Sequence, residues 1–292
     1  MLMAVNARAG HRNRPRARAA LALGFVALLA GCDSGSPTAA PGTSGTPAAG
    51  EYLPGLSATV ALPDGDPPAI FLLVPGGGFT AADPTGFGPL GRDLATRGFA
   101  AVTITYGHEG TQTFYPRPVE QVACAVAFAA AKAPGVPVVV VGHSAGANLA
   151  MLAGLQPLRT DVTCPYEPHA ADAIVGLAGP YDVHSTSIGE HLFGVPHEDD
   201  PEAWRDGNPL TWAGERPEVP VLLVHGDVDE LVPESFTQDM ATALESSGHP
   251  VVAEYPHGAR HNDVFRSEWL LEDLVDWTED VVLAEAPSPD AG

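Results

Sequence analysis

Three short stretches carry the residue types that acyl transfer requires. Gly142-His143-Ser144-Ala145-Gly146 follows the unbroken apolar run Val138–Val141 and precedes a stretch rich in Ala and Leu. That is the strand, turn and helix context in which G-x-S-x-G presents a nucleophilic serine. Small residues at both flanks suit a turn tight enough to lift the hydroxyl away from the sheet. A bare strand-to-helix turn would use the same residues, so the assignment depends on the partners.

A serine hydroxyl is a weak nucleophile near neutral pH; a base must take its proton and a carboxylate must orient that base. The apolar run Val221–Val224 leads into His225-Gly226-Asp227-Val228-Asp229, placing two carboxylates at one strand end. Asp229 is the expected orienting group and Asp227 its rival. After the next strand comes His257-Gly258-Ala259-Arg260-His261, with room for one helix and one strand since Asp229. His261 is the expected base, with His257 the competitor.

Upstream, Val74-Pro75-Gly76-Gly77-Gly78-Phe79 follows another buried strand. Adjacent glycines expose backbone N–H groups without a Cβ in the way, and such groups can stabilise a developing oxyanion. A flexible turn or a phosphate loop would also use glycines, but neither G-x-G-x-x-G nor Gly-Lys-Ser/Thr is present here.

The elements that must position these residues alternate in type. Short runs rich in Val, Ile and Ala at 57–62, 69–74, 99–105, 136–141, 173–177, 219–225 and 251–255 read as strands buried on both faces. Helical patterns separate them at 86–96, 119–132, 145–155, 235–246 and 263–284. In the last, Trp269, Leu270, Leu274, Trp277 and Val281 recur at three- and four-residue steps. The alternation predicts an α/β fold, with a mostly parallel sheet covered by helices on both faces in a single domain over 51–285. Residues 181–218 break the rhythm with Gly, Pro, His and acidic residues, and are expected to form a short lid-like insertion or an excursion over the site.

The order Ser, Asp, His along the chain resembles that of the α/β-hydrolases. With the triple glycine upstream, the chain is most similar to the carboxylesterases related to hormone-sensitive lipase, over roughly Ile70 to Ala284. The resemblance implies an ester hydrolase that needs no cofactor, with Ser144, Asp229 and His261 catalytic and Gly77, Gly78 and Ala145 donating to the oxyanion. Asn208-Pro209 and Val232-Pro233 resemble the family's Ser-Pro and Val-Pro. Pro75 departs from the pattern, because histidine usually stands there and its bracing hydrogen bonds must come from elsewhere. Two other readings share parts of this pattern: a peptidase of the prolyl-oligopeptidase-like type, and a noncatalytic lipoprotein that retains the fold.

The chain begins with Arg8, Arg12, Arg14, Arg16 and Arg18, then an apolar run ending in Leu29-Ala30-Gly31-Cys32. The run is too short for the roughly twenty residues of a spanning helix, and the pattern reads as an export signal over 1–31. Leu-Ala-Gly-Cys resembles the lipobox of bacterial lipoproteins, which implies acylation of Cys32, a stable membrane anchor and an extracytoplasmic location. Asp33 resembles the inner-membrane retention signal of Gram-negative lipoproteins. Residues 32–50, dominated by Ser, Gly, Pro, Thr and Ala, are expected to be a flexible tether, and 286–292 a disordered tail.

The net charge is −22, and five of the 14 basic residues are the leader arginines. Such a surface should repel nucleic acid and anionic lipid, so the expected partners are a small-molecule ester and, through Cys32, the membrane. Oligomeric state is open. Cys124 and Cys164 form a candidate disulfide in an exported protein, and the cysteine spacing has no metal-site pattern.

Overall fold

The computed structural model describes residues 47–157 and 163–284. The expected leader (1–31), the lipidation site Cys32, most of the tether and the tail (286–292) lie outside the described residues. In chain order the strands are β1 (Ala48–Leu53), β2 (Leu56–Ala61), β3 (Ile70–Val74), β4 (Ala100–Ile104), β5 (Val138–His143), β6 (Ala173–Leu177), β7 (Val221–Val224) and β8 (Val251–Glu254). The helices are α1 (Gly88–Thr96), α2 (Arg117–Lys132), α3 (Ala145–Leu155), α4 (Gly189–Phe193), α5 (Pro201–Asp206), α6 (Ser235–Ser247) and α7 (Ser267–Trp277).

Successive side chains in a strand point to opposite faces, and β3 is apolar and buried at every position. Ile70, Leu72 and Val74 of β3 therefore join one core with side chains of α2, α3 and α6. Phe71 and Leu73 join the other, with Leu90 and Leu94 of α1 and Leu270 and Leu274 of α7. Burial of each such side chain contributes on the order of 1.5–3 kcal/mol. This two-sided demand is why the runs carry no polar alternation.

The eight strands are ordered β1-β2-β4-β3-β5-β6-β7-β8. Neighbours from β4 to β8 pair in parallel, while β2 pairs antiparallel with both β1 and β4. Strand order reverses at β3, which lies between β4 and β5. The crevice outside the carboxyl ends of β3 and β5 is where such sheets bind ligands, and the triple glycine follows β3 while Ser144 follows β5.

Three differences from the sequence expectations have physical reasons. β1 begins within the expected tether, its first residues pairing with Val60, Thr59 and Ala58. An exposed edge strand of sequence AAGEYL has too little apolar content to be read as one. α7 starts at Ser267, not Asp263, because residues 263–266 form a turn closed by the Arg266 amide on the Asp263 carbonyl. Beyond Trp277 the helix continues as a wider, π-type turn over Thr278–Leu283.

The third concerns 181–218. The segment holds α4 and α5 and packs beside α3, with the Gln156 amide and the Trp212 indole both donating to the Asp206 carbonyl. Phe193 stacks on Trp204 at 4.5 Å, and the Tyr115 amide donates to the Leu192 carbonyl. No residue of 181–218 is among those lining the cavity at Ser144. Cys124 on α2 and Cys164 are joined by a disulfide. Among the described residues no helix is long and apolar enough to cross a membrane.

Candidate active site

The turn between β5 and α3 is closed by contacts that only small residues permit. A Cβ on Gly142 would lie 2.2 Å from the Gly146 carbonyl oxygen, and one on Gly146 would lie 2.3 Å from that of Val74. The Ser144 backbone is forced to φ 52° and ψ −124°, a sparsely populated conformation for a non-glycine residue that costs of order 1–3 kcal/mol. It is held by the Ser144 amide donating to the Leu177 carbonyl at 2.8 Å. The strain belongs to a site where the surrounding strands over-determine the geometry.

Ser144 and His261 line one cavity of about 370 Å³, with Gly76, Gly77 and Gly78 on its wall. The glycine loop needs its composition: Gly77 has φ 144°, and a Cβ there would meet the Ala81 carbonyl oxygen at 2.1 Å. The Gly77 carbonyl accepts from the Thr80 and Ala81 amides, which turns it into the loop. The loop's entry is held by Tyr106, whose hydroxyl donates to the Pro75 carbonyl at 2.8 Å. Burial raises the Tyr106 pKa, which keeps this hydroxyl a donor. Ala145 opens α3 and is buried; the first amides of a helix have no partner within it.

Asp229 and His261 meet as expected. His261 Nδ1–H donates to Asp229 Oδ2 at 2.8 Å, and both side chains are almost wholly buried. Two loops create the pair: the Val228 amide donates to the Ala259 carbonyl, and Gly226 lies so close to Ala259 that a Cβ would not fit. The other carboxylate oxygen, Oδ1, accepts from the Leu231 and Val232 amides at 2.8 and 2.9 Å. Burial alone would raise the Asp229 pKa. Hydrogen bonds from His225, His261, Val232 and Leu231 outweigh it and hold the carboxyl well below the ordinary range.

Sequence reasoning did not single out four of the supporting side chains. His225 is fully buried; its Nε2–H donates to the Val232 carbonyl at 2.9 Å and lies 3.3 Å from Asp229 Oδ2. The Thr237 hydroxyl, 2.7 Å from His225 Nδ1, holds the ring. His143 Nε2–H donates to the His261 main-chain carbonyl at 2.9 Å, and its ring packs against His261 and Phe265. Burial, then the neighbouring His261, lower the His143 pKa to about 3, against the opposing pull of the His261 carbonyl and Asp229. The fourth, Tyr106, braces the glycine loop. The available signals were a histidine before Gly-Asp at a strand end and one at the variable position of the serine motif.

The rivals pair with each other: His257 Nδ1 lies 2.6 Å from Asp227 Oδ2, and the Gly258 amide donates to Asp227 Oδ1 at 2.7 Å. Neither Asp227 nor His257 lines the Ser144 cavity.

A sheet of this order, with a strained serine turn after β5, a carboxylate after β7 and a histidine after β8, is the α/β-hydrolase fold. The BD-FAE family model matches residues 61–244, more than half of the chain, and the chain belongs to that family. Esterase LipQ of Mycobacterium tuberculosis (strain ATCC 25618 / H37Rv) is 27% identical over an alignment of 234 positions that covers 71% of this chain and 54% of that protein. The chain thus spans about half the length of the curated relatives it matches.

Among solved structures, the butyrate-bound esterase of the Planctomycetes species Thermogutta terrifontis has a TM-score of 0.64 at 21% identity, covering 82% of this chain and 96% of that one. An acetyl ester-xyloside bifunctional hydrolase from Caldicellulosiruptor lactoaceticus has a TM-score of 0.63 at 18% identity, covering 78% and 89%. At these identities the likeness concerns the fold.

Proposed function

We propose that the chain is a carboxylic ester hydrolase that works through an acyl-enzyme on Ser144. The observation that carries the reading is the buried Asp229–His261 pair opening onto the cavity that Ser144 lines. With Nδ1–H held by Asp229, the His261 Nε2 lone pair is the one left to take the Ser144 proton. Ser144 Oγ attacks the ester carbonyl. The Gly77, Gly78 and Ala145 amides stabilise the oxyanion, an effect worth about 2.7–4 kcal/mol per donor in serine hydrolases.

His261 then passes the proton to the leaving alcohol, which departs, and water activated by the same imidazole releases the acid. The triple-glycine loop supports likeness to the hormone-sensitive-lipase-related esterases, with Tyr106 holding the loop's entry. A cavity of about 370 Å³ suits short-chain or small soluble esters. The esterase relative agrees with the reaction class.

The test is a panel of p-nitrophenyl esters from acetate to octanoate, assayed with the wild type and Ser144→Ala. Turnover of acetate and butyrate above octanoate, abolished in the mutant, is expected. Activity retained in Ser144→Ala contradicts the mechanism, and faster turnover of octanoate contradicts the size preference.

We further propose that the protein is exported and anchored through acylated Cys32, on the strength of Leu29-Ala30-Gly31-Cys32 after the basic, apolar leader. The Cys124–Cys164 disulfide is in keeping with an oxidising compartment. Metabolic palmitate labelling lost in Cys32→Ser, with release from the membrane fraction, is the expected result; an unlabelled wild-type protein contradicts it.

A further inference from the structure

We propose that the cavity selects esters whose leaving alcohol carries a positive charge, and that Asp83 sets this selection. The inference rests on the ester-hydrolase reading, and names a substrate class for it.

In that reading His261 hands its proton to the leaving oxygen, so the alcohol lies in the cavity beside His261 and Asn262. The same cavity is lined by Asp83, Phe87 and Phe265. The two phenyl rings meet at 5.2 Å between centroids, forming an aromatic wall. Asp83 contributes a carboxylate, and no Lys or Arg is among the lining residues. The Asp83 side chain is fixed there because its Oδ1 accepts from the Thr85 amide at 2.9 Å, capping the short turn Pro84–Phe87. A carboxylate has acceptor capacity well beyond one amide.

The Thr85 hydrogen bonds, the amide's first, also hold the Asp83 carboxyl below its ordinary range, so its charge is present throughout the neutral region. A carboxylate and two aromatic rings lining one cavity can together attract an alkylammonium group, by Coulomb attraction and by the ring quadrupole. An alcohol bearing its own carboxylate meets like charge at the same wall. The net charge of −22 acts with the same sign at longer range. Asp83 is exposed, so the preference is expected to be modest and to shrink as salt rises.

The experiment compares acetylcholine with its uncharged isostere 3,3-dimethylbutyl acetate. For the wild type, kcat/KM is expected to favour the cation about fivefold or more, and in Asp83→Asn the ratio is expected to fall to within about twofold of unity. Asparagine is as good a helix N-cap as aspartate, so the local turn should persist. Binding of both esters to Ser144→Ala, by calorimetry with and without Asp83→Asn, reads the same preference without catalysis. A wild-type ratio near one, or a preference undiminished by Asp83→Asn, in either assay overturns the inference. Binding selectivity with no hydrolysis of either ester would count against the hydrolase reading and leave the charge selection supported.

Discussion

Asp229–His261 and Asp227–His257 join the same two residue types across the same two loops, at 2.8 and 2.6 Å. The His257 side chain is 97% exposed, whereas that of His261 is 4% exposed. Asp229 is also held by His225 and two amides, with the carboxylate shut away from water. The Asp227 carboxyl is likewise lowered, first by its hydrogen bond with His257 and then by the Gly258 amide. A short distance and a lowered carboxyl pKa are therefore common to both pairs. What separates them is burial and an open cavity on the far side of one imidazole, since exposed ion pairs contribute little and fix little.

The comparison breaks most visibly at the bases. His261→Ala should cost on the order of 10⁴-fold or more in kcat, while His257→Ala should stay within about twofold. Steady-state kinetics on both folded variants decides it, and equal losses would remove the distinction. At the carboxylates, Asp229→Asn should cost about 10³- to 10⁴-fold, because the amide no longer holds the imidazole in the required tautomer. Asp227→Asn should again be nearly neutral.

His143 sharpens the comparison, because the exposed pair has no counterpart to it. His143→Leu removes the donor to the His261 carbonyl, and should lower kcat by about tenfold while KM stays within about twofold. His143→Gln, which can still donate, should recover most of that loss. If Leu and Gln behave alike, the hydrogen bond does not position His261.

A further effect is on stability. His143 has its pKa lowered to about 3 in the fold, whereas an unfolded histidine titrates near 6.5. The unfolded chain therefore binds more protons in between, and stability falls as pH drops from about 6.5 toward 3. The contribution is about 2 kcal/mol between pH 6.5 and pH 5. Urea unfolding of the wild type and His143→Gln at the two pH values should show a shallower loss in the variant; equal losses would contradict the assignment.

Much of this was legible in the chain. Continuous apolar runs announced β3 to β7, and α3 fell where the Ala-rich stretch after Ser144 placed it, because burial on both sides of a sheet leaves an unambiguous pattern. Choosing Asp229 over Asp227, and His261 over His257, was open from residue types alone, since both pairs share their loops. The structure separates them by burying Asp229 and His261 beside the Ser144 cavity while leaving His257 exposed, a difference that no local pattern encodes. β1 was hidden because an exposed edge strand need not be apolar. The turn at 263–266 was hidden because Val264 and Phe265 continue an apolar pattern while facing the second core and the cavity. Tyr106 was invisible as a brace because its partner, the Pro75 carbonyl, is a backbone atom far along the chain.

The central claim is that the buried pair activates Ser144. Reaction of the folded protein with a fluorophosphonate, followed by peptide mapping, tests it most directly. A single adduct on Ser144 is expected, formed about 10³-fold or more slowly in Asp229→Asn and at an unchanged rate in Asp227→Asn. A folded wild-type protein that stays unlabelled, an adduct on another residue, or equal slowing in the two variants would contradict it.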